Sequence, residues 1–198
     1  MMNMELPQRK SCRIQGYDYS QNGAYFVTLC THQKKVLFGD ISEEAVGADS
    51  ISARMVRRVF DEVIHQYPTI SCPYSIVMPN HFHALIVVER ADIESAPTIS
   101  EVVQAFKRYS TIEYIHLVKQ GLAEPFERYV WQRSFHDHIV RTEEDFRMIA
   151  EYIQNNPRRW EEDCFHPTKN PRQRSHHHEP GNETHQGTVR LCAHPDEG

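Results

Sequence analysis

The run Tyr74-Ser75-Ile76-Val77-Met78-Pro79-Asn80-His81-Phe82-His83-Ala84-Leu85-Ile86-Val87-Val88 decides the architecture. Two apolar stretches flank Pro79-Asn80, a pair that favours a turn because proline fixes φ and asparagine tolerates tight backbone. The pattern predicts an antiparallel hairpin with strands over residues 74–78 and 81–88. Alternation in the second strand puts His81, His83, Leu85 and Val87 on one face, and Phe82, Ala84, Ile86 and Val88 on the other. Both faces are largely apolar, as in a central strand covered on at least one side.

Working outward, Gly23-Ala24-Tyr25-Phe26-Val27-Thr28-Leu29-Cys30 is rich in β-branched and aromatic residues and reads as a further strand. Residues 45–66 carry helical spacing, with Met55, Val56, Val59, Val63 and Ile64 on one stripe and Pro68 closing it. Thr98 or Ser100 opens a long helix to about Lys119, with Glu101 in its first turn. Residues 129–140 read as extended. A last helix starts at Thr142, whose hydroxyl can cap it with Asp145 three residues on, and runs to Asn156; Pro157 stops it. Strands and helices alternate around the hairpin, which predicts an α+β layer of helices on a mostly antiparallel sheet.

The 198 residues suit one domain with tails. Residues 1–16 read as a flexible basic lead-in, 17–160 as the folded domain, and 161–198 as a disordered polar tail with Pro167, Pro171 and Pro180 among its prolines, a triplet His176 to His178 and few apolar residues. No apolar run approaches the ~18 residues that would span a bilayer, and the first residues lack the apolar stretch of a signal peptide. Cys12, Cys30, Cys72, Cys164 and Cys192 are scattered, odd in number and never spaced as CxxC, so neither a disulfide framework nor a cysteine zinc site is expected. The expected compartment is a reducing cytoplasm.

Net charge is −5, which speaks against nucleic acid as a partner. Residues 161–198 hold seven acidic and four basic residues, so the rest nets only −2. Basic clusters remain at Arg9, Lys10 and Arg13, at Arg54, Arg57 and Arg58, at Lys107 and Arg108, and at Arg158 and Arg159. Phosphate contacts depend on local charge, so a DNA groove is compatible with this total. Scattered solvated charge explains any one cluster equally well.

Three constellations carry chemistry. His81 and His83, at i and i+2 of a strand, present two imidazoles to one side. They read either as a structural pair or as ligands of one divalent ion, for which imidazole suits Mn²⁺, Fe²⁺ and Zn²⁺ better than Mg²⁺. Tyr152 flanks the buried stripe Phe146, Ile149, Ala150 and Ile153 of the last helix, and Asn156 sits one turn above it. That is either a boundary tyrosine with a helix-ending asparagine, or a hydroxyl and an amide presented together. His136-Asp137-His138 is a second pair. It fits a phosphate contact, a base or supporting group near Tyr152, or a packed polar face. Tyr109 and Tyr114 lie on the long helix and read as packing or base-stacking residues.

Taken in order, Met78-Pro79-Asn80-His81-Phe82-His83, the long helix, Trp131-Gln132-Arg133 and Tyr152-Ile153-Gln154-Asn155-Asn156-Pro157 resemble the single-tyrosine HUH transposases, and most of all the branch called REP-associated tyrosine transposases. Gly16-Tyr17-Asp18-Tyr19 through Gly23-Ala24-Tyr25-Phe26-Val27-Thr28 is similar to that branch as well, so the resemblance spans about residues 9–160. It implies a ferredoxin-like HUH fold with helices packed on one side of the sheet. It implies one divalent metal, Mg²⁺ or Mn²⁺, on His81, His83 and Asn156, and Tyr152 as nucleophile. Other members carry Gln or His where this chain has the shorter Asn156. Lys107, Arg108, Arg133, His136, His138 and Arg158 are candidates for holding DNA or supporting the site. The implied activity is DNA nicking and strand transfer through a 5′-phosphotyrosine. Its implied partner is single-stranded DNA or imperfect palindromes folded as hairpins, in the bacterial cytoplasm, by a monomer or a homodimer. A catalytically silent DNA-binding module of the same fold and a histidine-rich metal-dependent hydrolase are the alternatives.

Overall fold

The computed structural model describes residues 22–41, 47–89 and 97–169. Its elements are β1 (Gly23–Cys30), α1 (Ile51–His65), β2 (Ile70–Met78), β3 (His81–Val88), α2 (Ile99–Lys119), β4 (His136–Val140) and α3 (Glu143–Asn155), with short 3-10 turns at His32–Lys34 and Pro157–Glu162. The strands form one sheet in the order β2-β3-β1-β4, and every neighbouring pair is antiparallel. This β-α-β-β-α-β order with β1 and β3 in the middle is the ferredoxin-like arrangement the sequence implies, with α3 added after it.

The sheet is covered on both faces, which corrects the expectation of helices on one side. Tyr25, Val27, Leu29, Phe82, Ala84, Ile86 and Val88 bury against α1 and α2. The opposite face, with Phe26, Ile76, Met78 and Leu85, buries against Ile149, Ala150 and Ile153 of α3. The reason is legible in β3 itself: a strand apolar on both sides needs two covers. Removing this much apolar surface, at ~25 cal/mol per Å², is what holds the layers together.

Helix starts follow capping chemistry. Ser50 Oγ accepts from the Ala53 amide, so α1 begins at Ile51 and not near 45. Gly47, at φ +96°, lies against β2, where an added Cβ would stand 2.9 Å from the Val77 carbonyl. Thr98 and Glu101 form a full capping box, which settles the start of α2 at Ile99. Thr142 Oγ1 accepts from the Asp145 amide at the head of α3.

Two spans differ from expectation. β2 extends back to Ile70 through Pro73, with its pairing to β3 irregular between Ser71 and Tyr74; a proline is tolerated on an edge strand at such a point. Residues 129–140 are not continuously extended. Trp131 makes a single bridge to Thr31, and β4 begins only at His136. Between them the Lys107 ammonium donates to the carbonyls of Gln132 (2.8 Å), Arg133 (3.4 Å) and Ser134 (2.9 Å). Three carbonyls converging on one cation cannot also alternate into a strand ladder.

Residues 161–169 do not belong to a featureless tail: Asp163 and Phe165 are buried, and the Phe165 carbonyl accepts from Asn80 in the turn before β3. The basic lead-in and the His176 to His178 triplet fall outside the described residues.

Candidate active site

Pairing register brings the chemistry to one face. His83 stands opposite Thr28 on β1, and Thr28 stands opposite His136 on β4; His81 faces Cys30, and Phe26 faces His138. Paired residues share a side of the sheet, so both histidine pairs lie on the side that α3 covers. α3 brings Tyr152. Its ring meets His83 edge-on at 5.4 Å and Phe26 at 5.9 Å, and its hydroxyl is buried.

His81 and His83 are fully buried, with ring centres 4.5 Å apart. Each is oriented from its Nδ1 side. Asn80 Nδ2 donates to the carbonyls of Lys34 (3.1 Å) and Phe165 (2.7 Å), which leaves Asn80 Oδ1 to accept from His81 Nδ1 at 2.9 Å. The His81 proton therefore sits on Nδ1, and Nε2 carries a bare lone pair. His83 Nδ1 lies 2.8 Å from Thr28 Oγ1. Both Nε2 atoms are buried without a hydrogen-bond partner, as is Asn156 Oδ1. Buried polar atoms normally find partners, so three unpartnered donor atoms on neighbouring side chains suit a cation.

Asp163 joins this set. One ligand atom each from His81, His83 and Asp163 lie within 4.8 Å of one another, and His81 Nε2 is 3.9 Å from Asp163 Oδ2. Ligands at about 2.1 Å from one ion stand roughly 3–4.2 Å apart, so an ion would draw these three donors closer together. The side chain of Asn156 hydrogen-bonds the Asp163 carboxylate. The buried group is consistent with a divalent metal site. Its mixed nitrogen and oxygen donors suit Mn²⁺ and its neighbours better than Mg²⁺.

Burial is also the main reason the histidines resist protonation. His81 is held well below its usual 6.5, with His83 and Lys34 adding to the effect, and His83 falls to about 3. Asp163 is raised by burial, against hydrogen bonds from the Phe165 amide, Asn156 and Cys164. For stability the sign is definite. Unfolded imidazoles take up protons near pH 6.5 and the folded ones do not, so stability present above that pH is lost as pH falls toward about 3. By pH 4.5 the His83 contribution is on the order of 2–3 kcal/mol. Metal-free protein is expected to melt at a constant temperature above pH 7 and at steadily lower ones from 6.5 to 4.5. A flat profile across that range would contradict buried neutral histidines.

A cover lies over the pair. The Phe165 ring is 4.7 Å from His81 and 6.3 Å from His83, Trp160 is 5.9 Å from His81, and Lys34 Nζ stands 5.4 Å above the Phe165 ring. This segment seals both histidines from solvent. Sequence reasoning missed Asp163, Phe165, Thr28 and the orienting role of Asn80. The available signal was Phe165, a lone aromatic in a polar stretch shortly after the helix-stopping Pro157.

The remaining candidates sit apart in role. Lys107 is committed to the loop carbonyls described above. Arg108 folds onto its neighbour Tyr109, donating to the hydroxyl at 2.7 Å. Arg133 and Arg158 are exposed, His136 is buried and His138 half-buried. Tyr114 is buried in the main core, with its hydroxyl donating to backbone carbonyls, which fits packing. No described helix is long and apolar enough to cross a membrane.

Comparison with known proteins gives this arrangement its relatives. The family described as "Transposase IS200 like" matches residues 19–156. A Haemophilus influenzae protein of uncharacterised function is 29% identical over 178 residues, covering 81% of this chain and 94% of its own length. A second protein of that organism, provisionally assigned as a REP-associated tyrosine transposase, is 25% identical over 141 residues, 71% of this chain and 73% of its own. Two solved structures are loosely similar, each at 18% identity. One is a REP-associated tyrosine transposase bound to a REP hairpin, at TM-score 0.49 over 79% of this chain and 74% of that one. The other is a provisionally assigned Deinococcus radiodurans transposase, at TM-score 0.41 over 72% and 95%.

Proposed function

The chain belongs to the IS200-like transposase family, and from that premise we propose that it nicks and rejoins single-stranded or hairpin DNA through Tyr152. The observation that carries the reading is the packing of the Tyr152 ring on His83, 5.4 Å away, inside a buried cluster of orphaned metal-binding atoms.

His81 and His83 would hold one divalent ion, with Asn156 Oδ1 beside them. When bound, the ion supplies Lewis-acid polarisation of the phosphate and stabilisation of the leaving oxygen. The rest falls to the protein. Asn80 and Thr28 hold the imidazole rings in place, so the rings need no reorientation. Phe26 and His83 hold the Tyr152 ring, which limits where its hydroxyl can go. The tyrosine oxygen attacks phosphorus and loses its proton, the bond from phosphorus to the 3′ oxygen breaks, and that oxygen leaves as a 3′-OH. The 5′ side stays on Tyr152 as a phosphodiester, so a returning 3′-OH reverses the step without ATP. An ordinary phenol at pH 7 is about 4 kcal/mol from its reactive anion, which the site must supply.

Single strands are favoured over duplex on electrostatic grounds. Opening a duplex costs ~1.4 kcal/mol per base-pair step. The α1 arginines offer little toward that, since Arg54 pairs with Asp49 and Arg58 with Glu62 and Glu113. The test is incubation with excess labelled hairpin and Mn²⁺, read on a denaturing gel. A covalent protein–DNA band is expected, with cleavage halting at about one end per enzyme unless a free 3′-OH strand is added. Rapid multiple turnover on paired linear duplex, with water as acceptor, would identify an ordinary nuclease.

A further inference from the structure

We infer that Asp163 is itself a ligand of the resting ion, so that the ion ties the segment after α3 across the site, and a DNA phosphate gains its place only by displacing that carboxylate. The inference rests on the metal reading of His81 and His83. It goes beyond that reading in naming a ligand from outside the strand and the tyrosine helix, and in assigning it an exchange with substrate.

The carboxylate is placed for this. The Phe165 amide holds Asp163 Oδ1 at 2.6 Å, while Oδ2 faces His81 Nε2 across 3.9 Å. That gap is too long for a hydrogen bond and fits two ligands of a common ion. A carboxylate offers about four lone-pair directions. Hydrogen bonds from the Phe165 amide, Asn156 and Cys164 occupy up to three, leaving one for an ion. The Asp163 side chain is 3% exposed and stands beside two orphaned imidazole nitrogens. Leaving a carboxylate there without a cation is costly.

The consequence is an ion whose protein ligands come from two directions. His81 and His83 stand on β3, and Asp163 stands beyond Pro157. Phe165 and its carbonyl, bonded to Asn80 Nδ2, close over the same spot. With Asp163 in place, a carboxylate oxygen would take a position on the ion that a phosphate oxygen could otherwise fill. Both are anionic oxygen donors of similar hardness, so exchange of one for the other conserves charge at the ion.

The experiment uses the full chain stripped of metal and titrated with Mn²⁺ alone. Calorimetry gives affinity, and amide hydrogen exchange gives local protection. Wild-type protein should bind Mn²⁺ and slow exchange at both β3 and residues 163–169. Asp163→Asn keeps size and still accepts from the Phe165 amide. It should bind Mn²⁺ at least about tenfold more weakly. At saturating Mn²⁺ it should retain the added protection at β3 and lose it at 163–169. Equal Mn²⁺ affinity in Asp163→Asn overturns the inference and leaves the histidine site standing. So does wild-type protection confined to β3, a result that needs no variant. Absence of any Mn²⁺ binding by wild type overturns the metal reading itself, and this inference with it.

Discussion

Tyr152→Phe is expected to abolish the covalent protein–DNA band while DNA binding stays within a few fold. The substitution removes one oxygen and keeps the ring that packs on His83 at 5.4 Å and on Phe26 at 5.9 Å. Nothing else in the layer need move, because Ile149 and Ile153 carry the burial of α3. Loss of a nucleophile removes a transition-state bond and not a ground-state contact, so the deficit belongs in the chemical step, by about four orders of magnitude or more. A denaturing gel with hairpin DNA and Mn²⁺ reads the adduct, and a mobility shift without metal reads binding. An adduct of undiminished yield in the phenylalanine protein would assign the attack to another residue.

His83→Ala is expected to eliminate metal-dependent cleavage and to weaken Mn²⁺ binding sharply. His83 offers one of two buried, unpartnered imidazole nitrogens in the cluster, and water would have to replace it in a pocket closed to solvent. The substitution also opens a cavity between Phe26, Tyr152 and Phe165, at a cost of roughly 2–4 kcal/mol in stability. Melting must therefore be followed beside activity, and His83→Gln, which fills more of the volume, separates the two effects. His81→Ala should behave alike. Asn156→Ala should lose less, because a neutral amide oxygen is the weakest of the donors. Full Mn²⁺ affinity in either histidine variant would defeat the site.

Much of this was readable from residues alone, and the reasons differ by element. β1 and β3 were legible to the residue because period-2 alternation and the Pro79-Asn80 turn are local signals. The starts of α2 and α3 followed from hydroxyl caps, which act within one turn. The second cover on the sheet was implied by the two apolar faces of β3, but which helix supplies it is a long-range matter. The loop before β4 was misjudged because Lys107, some 25 residues earlier in the chain, collects its carbonyls. Among site residues, the histidine pair and Tyr152 belong to compact motifs and do lie together. Asp163 and Phe165 were assigned to a featureless tail, since composition averages hide two buried side chains among exposed neighbours.

The closing segment and the tyrosine are one continuous piece of chain. Asn156 ends α3, Pro157 begins the short 3-10 turn to Glu162, and Asp163 follows at once. Proline stiffens the joint by fixing its own φ. On the proposed function, lifting Phe165 off the histidines would pull on the last turn of the helix that carries Tyr152. The cover and the tyrosine would then share a single lever. Admission of a scissile phosphate and alignment of Tyr152 would be two readings of one displacement, and a substitution in the turn should disturb timing as much as access.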